Sequence, residues 1–307
     1  MDELRAALGG APGRATAGAP VLPCGPAPAS PELLEKLRAS TVAQIGVGRA
    51  GVRLRTATYL KWLGDRAIAV EAVRSQLPPG FAERLGAVAV KSEARDLDEF
   101  LLRPDLGRRL PPEAIELLRA RCRSAPDVQV VVGDGLSANA VAENAPPLLA
   151  ALGAELARVG LSAGTTVLVE RARMKTLDVV GEALAARTGV ILLGERPGLG
   201  TGDGMSAYLV HRPRHDAVES DHEVVSNIHA RGIVPADAAR KVADLLAEFV
   251  RAGASGVARQ AGAAPSSLER SRTEPCREGD PCHGRDRYSP KRMAPPLAVS
   301  ASARCAG

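Results

Sequence analysis

Glu195 and Arg196 stand in the stretch "VILLGERPGLGTGDGMSAYLV" (190–210), among Gly194, Gly198, Gly200, Gly202 and Gly204. A carboxylate placed there can accept hydrogen bonds from the amide N–H groups of a large ligand. Each such bond is worth about 1.5–3 kcal/mol when one partner is charged. Glycine at this density is kept where backbone turns sharply or comes close to something, and Pro197 fixes the chain direction just past the glutamate. From spacing alone, an exposed Glu/Arg pair on a mobile loop accounts for the same residues.

A second chemistry is written at Gly133, Gly135 and Ala138 in "VVGDGLSA". The pattern G-x-G-x-x-A after a strand and before a helix is the dinucleotide fingerprint, with Glu170 available as the ribose-binding acid. That gives an NAD-type oxidoreductase as the alternative reading, although Asp134 would repel a pyrophosphate at the same turn. No G-x-x-x-x-G-K-[ST] occurs, and Ser137 lies outside any G-x-S-x-G. His211, His215, His222 and His229 have no metal-ligand spacing, and Cys276, Cys282 and His283 match no zinc pattern.

These residues need elements to hold them. Short apolar runs at 128–133, 165–171 and 190–196 alternate with helix-like segments at 146–160 and 177–189, which is the signature of parallel βαβ units. Further strands are expected at 206–212 and 224–228, with a closing amphipathic helix at 235–253. Before residue 127 the periodicity is helical: "SPELLEKLRAST" opens with Ser30 as cap and Pro31 at the first position. Residues 57–77 and 111–122 continue in the same manner. The expectation is an α/β chain with a Rossmann-like, mostly parallel sheet and flanking helices, preceded by a helical N-terminal part. Its divisions are a flexible arm (1–30), a helical region (31–126), the α/β domain (127–256) and a disordered extension (257–307). In such sheets, ligands bind beyond the carboxyl ends of the strands, so loops 133–138, 171–175 and 194–204 should converge.

Composition narrows the partners. Aromatics make up 2% of the chain, too few for a surface that stacks bases. The net charge of +5 sits almost wholly in residues 255–307, which hold nine Lys/Arg against five Asp/Glu. A nucleic-acid role would therefore rest on that tail, and the folded part is expected to bind neither nucleic acid nor membrane. No apolar run reaches the roughly 18 residues of a membrane span. The N-terminus has no secretory character and the five cysteines are scattered, so a cytoplasmic protein is expected.

Several blocks together resemble the small (light) subunit of ethanolamine ammonia-lyase. They are "STVAQIGVGRAGVRLRTATYLKWLGDRA", "LRPDLGRRL", "APDVQVVVGDGLSA", "ILLGERPGLGTGDGMSAYLVHRPR" and "VVSNIHARG", in family order over roughly residues 31–258. The resemblance implies an ammonia-lyase that turns ethanolamine into acetaldehyde and ammonia by radical chemistry with adenosylcobalamin. It implies a large barrel subunit that holds most of the substrate, while this chain covers the corrin from the other side and is active only in that hetero-oligomer. By position, the cobalamin contacts fall on Met174 in "RMK", Glu195 in "GERPGLG" and Val224 in "EVVSNI", and no side chain of this chain is assigned to the bond-breaking itself. Residence inside a bacterial microcompartment, with residues 1–30 as the address, stays open. No D-x-H-x-x-G is present, so the cofactor would keep its own lower base. The segment 259–307 lies beyond the resemblance and receives no role.

Overall fold

The computed structural model describes residues 30–41, 45–199 and 202–261; the expected arm, most of the expected extension, Gly200 and the Cys276/Cys282/His283 group lie outside them. Helix α1 (Pro31–Ala39) begins on the Ser30 cap, whose hydroxyl oxygen accepts from Leu33 N at 3.4 Å. A two-stranded hairpin, β1 (Arg49–Ala50) with β2 (Arg53–Leu54), leads into the long helix α2 (Thr56–Arg74). One-turn helix α3 (Phe81–Arg84), strand β3 (Val88–Lys91) and helices α4 (Leu97–Leu102) and α5 (Pro112–Arg121) follow. The remaining elements are β4 (Val128–Gly133), α6 (Ala138–Arg158), β5 (Val167–Glu170), α7 (Thr176–Ala183), β6 (Thr188–Gly194), β7 (Met205–His211), β8 (His222–Ile228), α8 (Pro235–Ala252) and α9 (Gly256–Gln260).

Six strands form one sheet in the order β3-β5-β4-β6-β7-β8. The first four run parallel, and β7 and β8 are added antiparallel. Every residue of β4 and of β6 is buried, as expected for central parallel strands covered on both faces. Side chains alternate between two cores. Val128, Val130, Val132, Val190 and Leu192 face α6 and α8; Val131, Ile191 and Leu193 face α5 and α7.

The strands at 128–133, 165–171, 190–196, 206–212 and 224–228 were legible as alternating or fully apolar runs; the observed bounds differ by one or two residues. Several elements depart from expectation: the β1–β2 hairpin interrupts the expected helical region, and α9 orders the first residues of the expected disordered extension, where Arg259 pairs with Glu223 at 2.7 Å. The sheet takes its edge strand β3 from a segment that reads as helical, because "VAVK" is a four-residue run with only Val88 and Val90 turned inward. Helix α6 begins eight residues before the expected start at Pro146 and runs through Pro146 and Pro147. Burial of Ala138, Val141 and Ala145 against the sheet outweighs the two missing backbone donors. The carbonyls so deprived belong to Ala142, which is half-buried, and Glu143, which is exposed. Among the described residues no helix is long and apolar enough to cross a membrane.

Candidate functional site

The loops after β4, β5 and β6 do meet at the carboxyl edge of the sheet, and they meet tightly. Gly135 adopts φ +60°, and a Cβ there would lie 2.2 Å from the Gly194 carbonyl oxygen. A Cβ on Gly194 would lie 2.1 Å from the Ser137 carbonyl oxygen. Leu136 N donates to Gly194 O at 2.9 Å. Asp134 turns its carboxylate inward, where it accepts from Arg171 N at 2.9 Å and Ala172 N at 3.0 Å. Burial pushes its pKa up to about 6 against the pull of those backbone donors.

This geometry corrects the dinucleotide reading. The close approach that Gly133 and Gly135 permit is to neighbouring protein: a Cβ on Gly133 would collide with Ala172 and Leu193, and one on Gly135 with the Gly194 backbone. The amides that open α6 are also engaged. Asn139 N donates to Ser75 Oγ at 3.2 Å and Ala140 N to Ser137 Oγ at 3.2 Å. A helix N-terminus binds pyrophosphate only through free amides, and the loop after β6 covers this one, with Ser137 Oγ donating to Gly202 O at 2.9 Å. Glu170, the other element of the fingerprint, pairs with Lys91 at 2.8 Å on the neighbouring edge strand.

The open ground lies further along the sheet. Glu195 is the first residue after β6, and its N–H donates to Gly204 O at 3.0 Å, which closes the base of the glycine-rich loop. Asn144 Nδ2 holds the loop at Asp203 O (3.0 Å), and Arg231 pairs with the Asp203 carboxylate at 3.2 Å. Beside the two ends of the loop, the α7-side face of β7 and β8 forms an open concavity of about 390 Å³, lined by Glu195, Arg196, Gly204, Tyr208, Val224 and Asn227 among others. Register explains the grouping: Tyr208 stands opposite Val224 across the β7–β8 pair.

The chemistry of this concavity is that of a carboxylate acceptor among polar neighbours, Arg196, Ser226 and Asn227 included, with Val224 as its aliphatic side. Tyr208 donates its hydroxyl to Glu195 Oε1 at 2.8 Å. Burial, reinforced by that carboxylate, drives the phenol far above its ordinary value, so the tyrosine remains a donor at all physiological pH. Ser206 Oγ is buried and has no hydrogen-bond partner among the described residues. A polar atom left so costs about 1–3 kcal/mol unless a ligand engages it. His229 is 3% exposed; its Nδ1 accepts from Arg231 N at 3.2 Å and its Nε2 faces Asn227 Oδ1 at 2.7 Å, so the proton resides on Nε2. Asn227 holds φ +62°, and its carbonyl accepts from Ile233 N at 2.9 Å.

Of the three residues expected from the resemblance, Glu195 and Val224 line this one concavity, and Val224 is 52% exposed. Met174 is half-buried on the same side of the sheet, packed on the α7-side core that also receives Tyr208. Sequence reasoning missed Tyr208, Ser206 and His229 as site residues. The first two sit in an ordinary strand pattern, and only the "SNIH" block hinted at the third. The loop pair Glu195 and Tyr208 makes a further expectation: Tyr208→Phe should leave the fold intact and lower ligand affinity about fivefold, the worth of one hydrogen bond that orients a charged acceptor. Titration of the variant against wild type measures it.

Comparison with known families now has a site to explain. Residues 31–259, well over half of the chain, match the family model described as ethanolamine ammonia-lyase light chain (EutC), and the chain belongs to that family of lyase subunits.

Proposed function

We propose that this chain is the cofactor-covering half of a cytoplasmic ethanolamine ammonia-lyase, working in a hetero-oligomer with a large subunit that holds ethanolamine. The observation that carries the proposal is the Glu195 carboxylate, oriented by Tyr208 in an open concavity. A corrin is a broad macrocycle fringed with primary amides, so a carboxylate acceptor, the polar side chains beside it and exposed Val224 suit its rim. The residues fit the group. When bound, adenosylcobalamin supplies the radical chemistry that breaking this carbon–nitrogen bond requires.

What the chain's own residues do is bind, orient and exclude water. Glu195 receives amide N–H donors with the oxygen that Tyr208 leaves free. Val224 and the apolar edge at Met174 supply contact area, and Gly204, with nothing within 4 Å of an added Cβ, lets backbone approach the ligand. The four parallel strands with helices on both faces support a Rossmann-like description of the platform. A half-site open to water cannot protect a radical, so the isolated chain is expected to show no turnover.

The test is co-expression with the large subunit, followed by visible absorbance of the purified pair. Wild type should retain the cobalamin spectrum. Glu195→Gln, which presents an N–H where an acceptor is needed, should weaken cobalamin binding about tenfold. Undiminished affinity in that variant, or a pair that binds no cobalamin, overturns the proposal.

A further inference from the structure

Helix α1 buries none of its nine residues, and α2, with nineteen, buries only Ala72. Their apolar side chains face outward: Leu33, Leu37, Leu60, Ile68 and Val70 are between 47% and 60% exposed, and Val52 in the hairpin turn is 89% exposed. On α2 these residues fall within about half of the circumference, and Lys61, Asp65, Arg66, Glu71 and Arg74 share the helix with them. An apolar stripe turned to water gains stability when a second surface covers it. Exposed apolar area of this extent on a soluble chain marks an interaction surface.

Two observations select the occupant. The first is position. The C-terminal end of α2 leans on the loop whose two ends, Glu195 and Gly204, line the concavity: a Cβ on Gly202 would lie 3.7 Å from Ile68 Cγ2 and 3.8 Å from Ala72 Cβ, and Ser75 Oγ accepts from the amide of Asn139 at the start of α6. A partner lying along α2 therefore reaches the loop that joins the two sides of the site. The second is charge. Residues 31–74, which span the three elements, hold eight Lys/Arg against four Asp/Glu, with Lys61 already paired to Asp65 at 3.4 Å, so the face is net basic. A second copy of this chain would bring like charge against like, whereas a partner with acidic residues beside an apolar groove would be complementary.

We infer that α1, the β1–β2 hairpin and α2 form the face on which the large subunit seats, and that this contact carries the large subunit across the Glu195 concavity. The inference rests on the functional reading above and adds the surface that joins the two halves. The partner surface is an apolar groove rimmed by Asp and Glu, and a stable contact buries about 800 Å² on each side.

The experiment uses the co-expressed pair with a tag on this chain. Val52→Glu combined with Leu60→Glu changes two exposed side chains and should lower retention of the large subunit at least tenfold. The variant's circular-dichroism melt, measured on the tagged chain, should match wild type. Val224→Glu serves as the contrast: it should keep the large subunit and lose cobalamin absorbance. Full retention by the double variant overturns the inference while leaving the functional reading intact. Light scattering that shows the wild-type chain alone to be a dimer, dissociated by the same double substitution, also overturns it, in favour of a second copy. A wild-type chain that fails to hold the large subunit at all sinks the functional reading, and the surface falls with it.

Discussion

Gly194→Ala is expected to cost about 3 kcal/mol or more of folding stability, although it adds only one methyl group. The new Cβ would lie 2.1 Å from Ser137 O, 2.6 Å from Asp134 O and 2.8 Å from Ser137 C. All three are backbone atoms of one tight turn, so no side-chain rotation relieves the contact. Overpacking against movable side chains costs about 1–3 kcal/mol, and a rigid backbone neighbour puts this substitution at or above the upper end. The turn it displaces also donates the Leu136 N–H to Gly194 O and leads into the cap of α6, so the damage should spread to the helix start. For a folded part of this size the melting temperature should fall by roughly 6–12 °C. Differential scanning calorimetry of the pair and of the isolated chain reads it; a shift below two degrees would mean that the turn relaxes freely.

Asp134→Asn should change the pH dependence of stability, on top of a pH-independent cost of about 1–3 kcal/mol from turning an NH2 toward one of the two backbone N–H donors. Burial raises the folded-state pKa of Asp134 from 3.8 to about 6, so between those values the folded protein binds more protons here than the unfolded chain does. Stability therefore falls as pH rises through that window and levels off above it. Asparagine has no such slope. The stability difference between variant and wild type should shift by about 2 kcal/mol in the variant's favour from pH 4 to pH 6.5, with allowance for the residue's partial exposure. His211 works in the opposite sense. Its ring nitrogens are buried without partners among the described residues, and burial, with Arg212 and Arg187 nearby, lowers its pKa to about 4. The folded state then binds fewer protons than the unfolded one between about 4 and 6.5, so this contribution rises with pH and is lost on acidification. In wild type the two slopes oppose each other; His211→Gln should expose the descending one and Asp134→Asn the ascending one. Urea unfolding at half-unit pH steps distinguishes them, and parallel curves for all three proteins would refute the assignment.

The central sheet was legible because β4 and β6 are continuous apolar runs, and helix Pro235–Ala252 because its buried positions recur at helical spacing. Glu195 stood out through its glycine surroundings. What the residues could not disclose was adjacency. Glu195 and Val224 lie far apart in the chain and meet through the pairing register of β6, β7 and β8, which no periodicity records. Tyr208 was hidden for the same reason, since a tyrosine in a strand is ordinary β composition. The glycine pattern at 133–138 misled because close backbone approach looks alike in sequence whether the neighbour is a phosphate or Gly194. On α2 the apolar spacing was read as helix, yet spacing does not say whether the covering surface belongs to the same chain.

The switch from parallel to antiparallel pairing at β6 has an architectural consequence. Had β7 continued the parallel series, its connection would have been a crossover, and a helix would have been laid across Tyr208 and Val224. Two antiparallel returns carry the chain to β7 and β8 without that lid, so the sheet face stays open around Val224 and Tyr208. The binding ground is thus a product of how the strands are connected: it was left uncovered by topology, not hollowed out of a finished core.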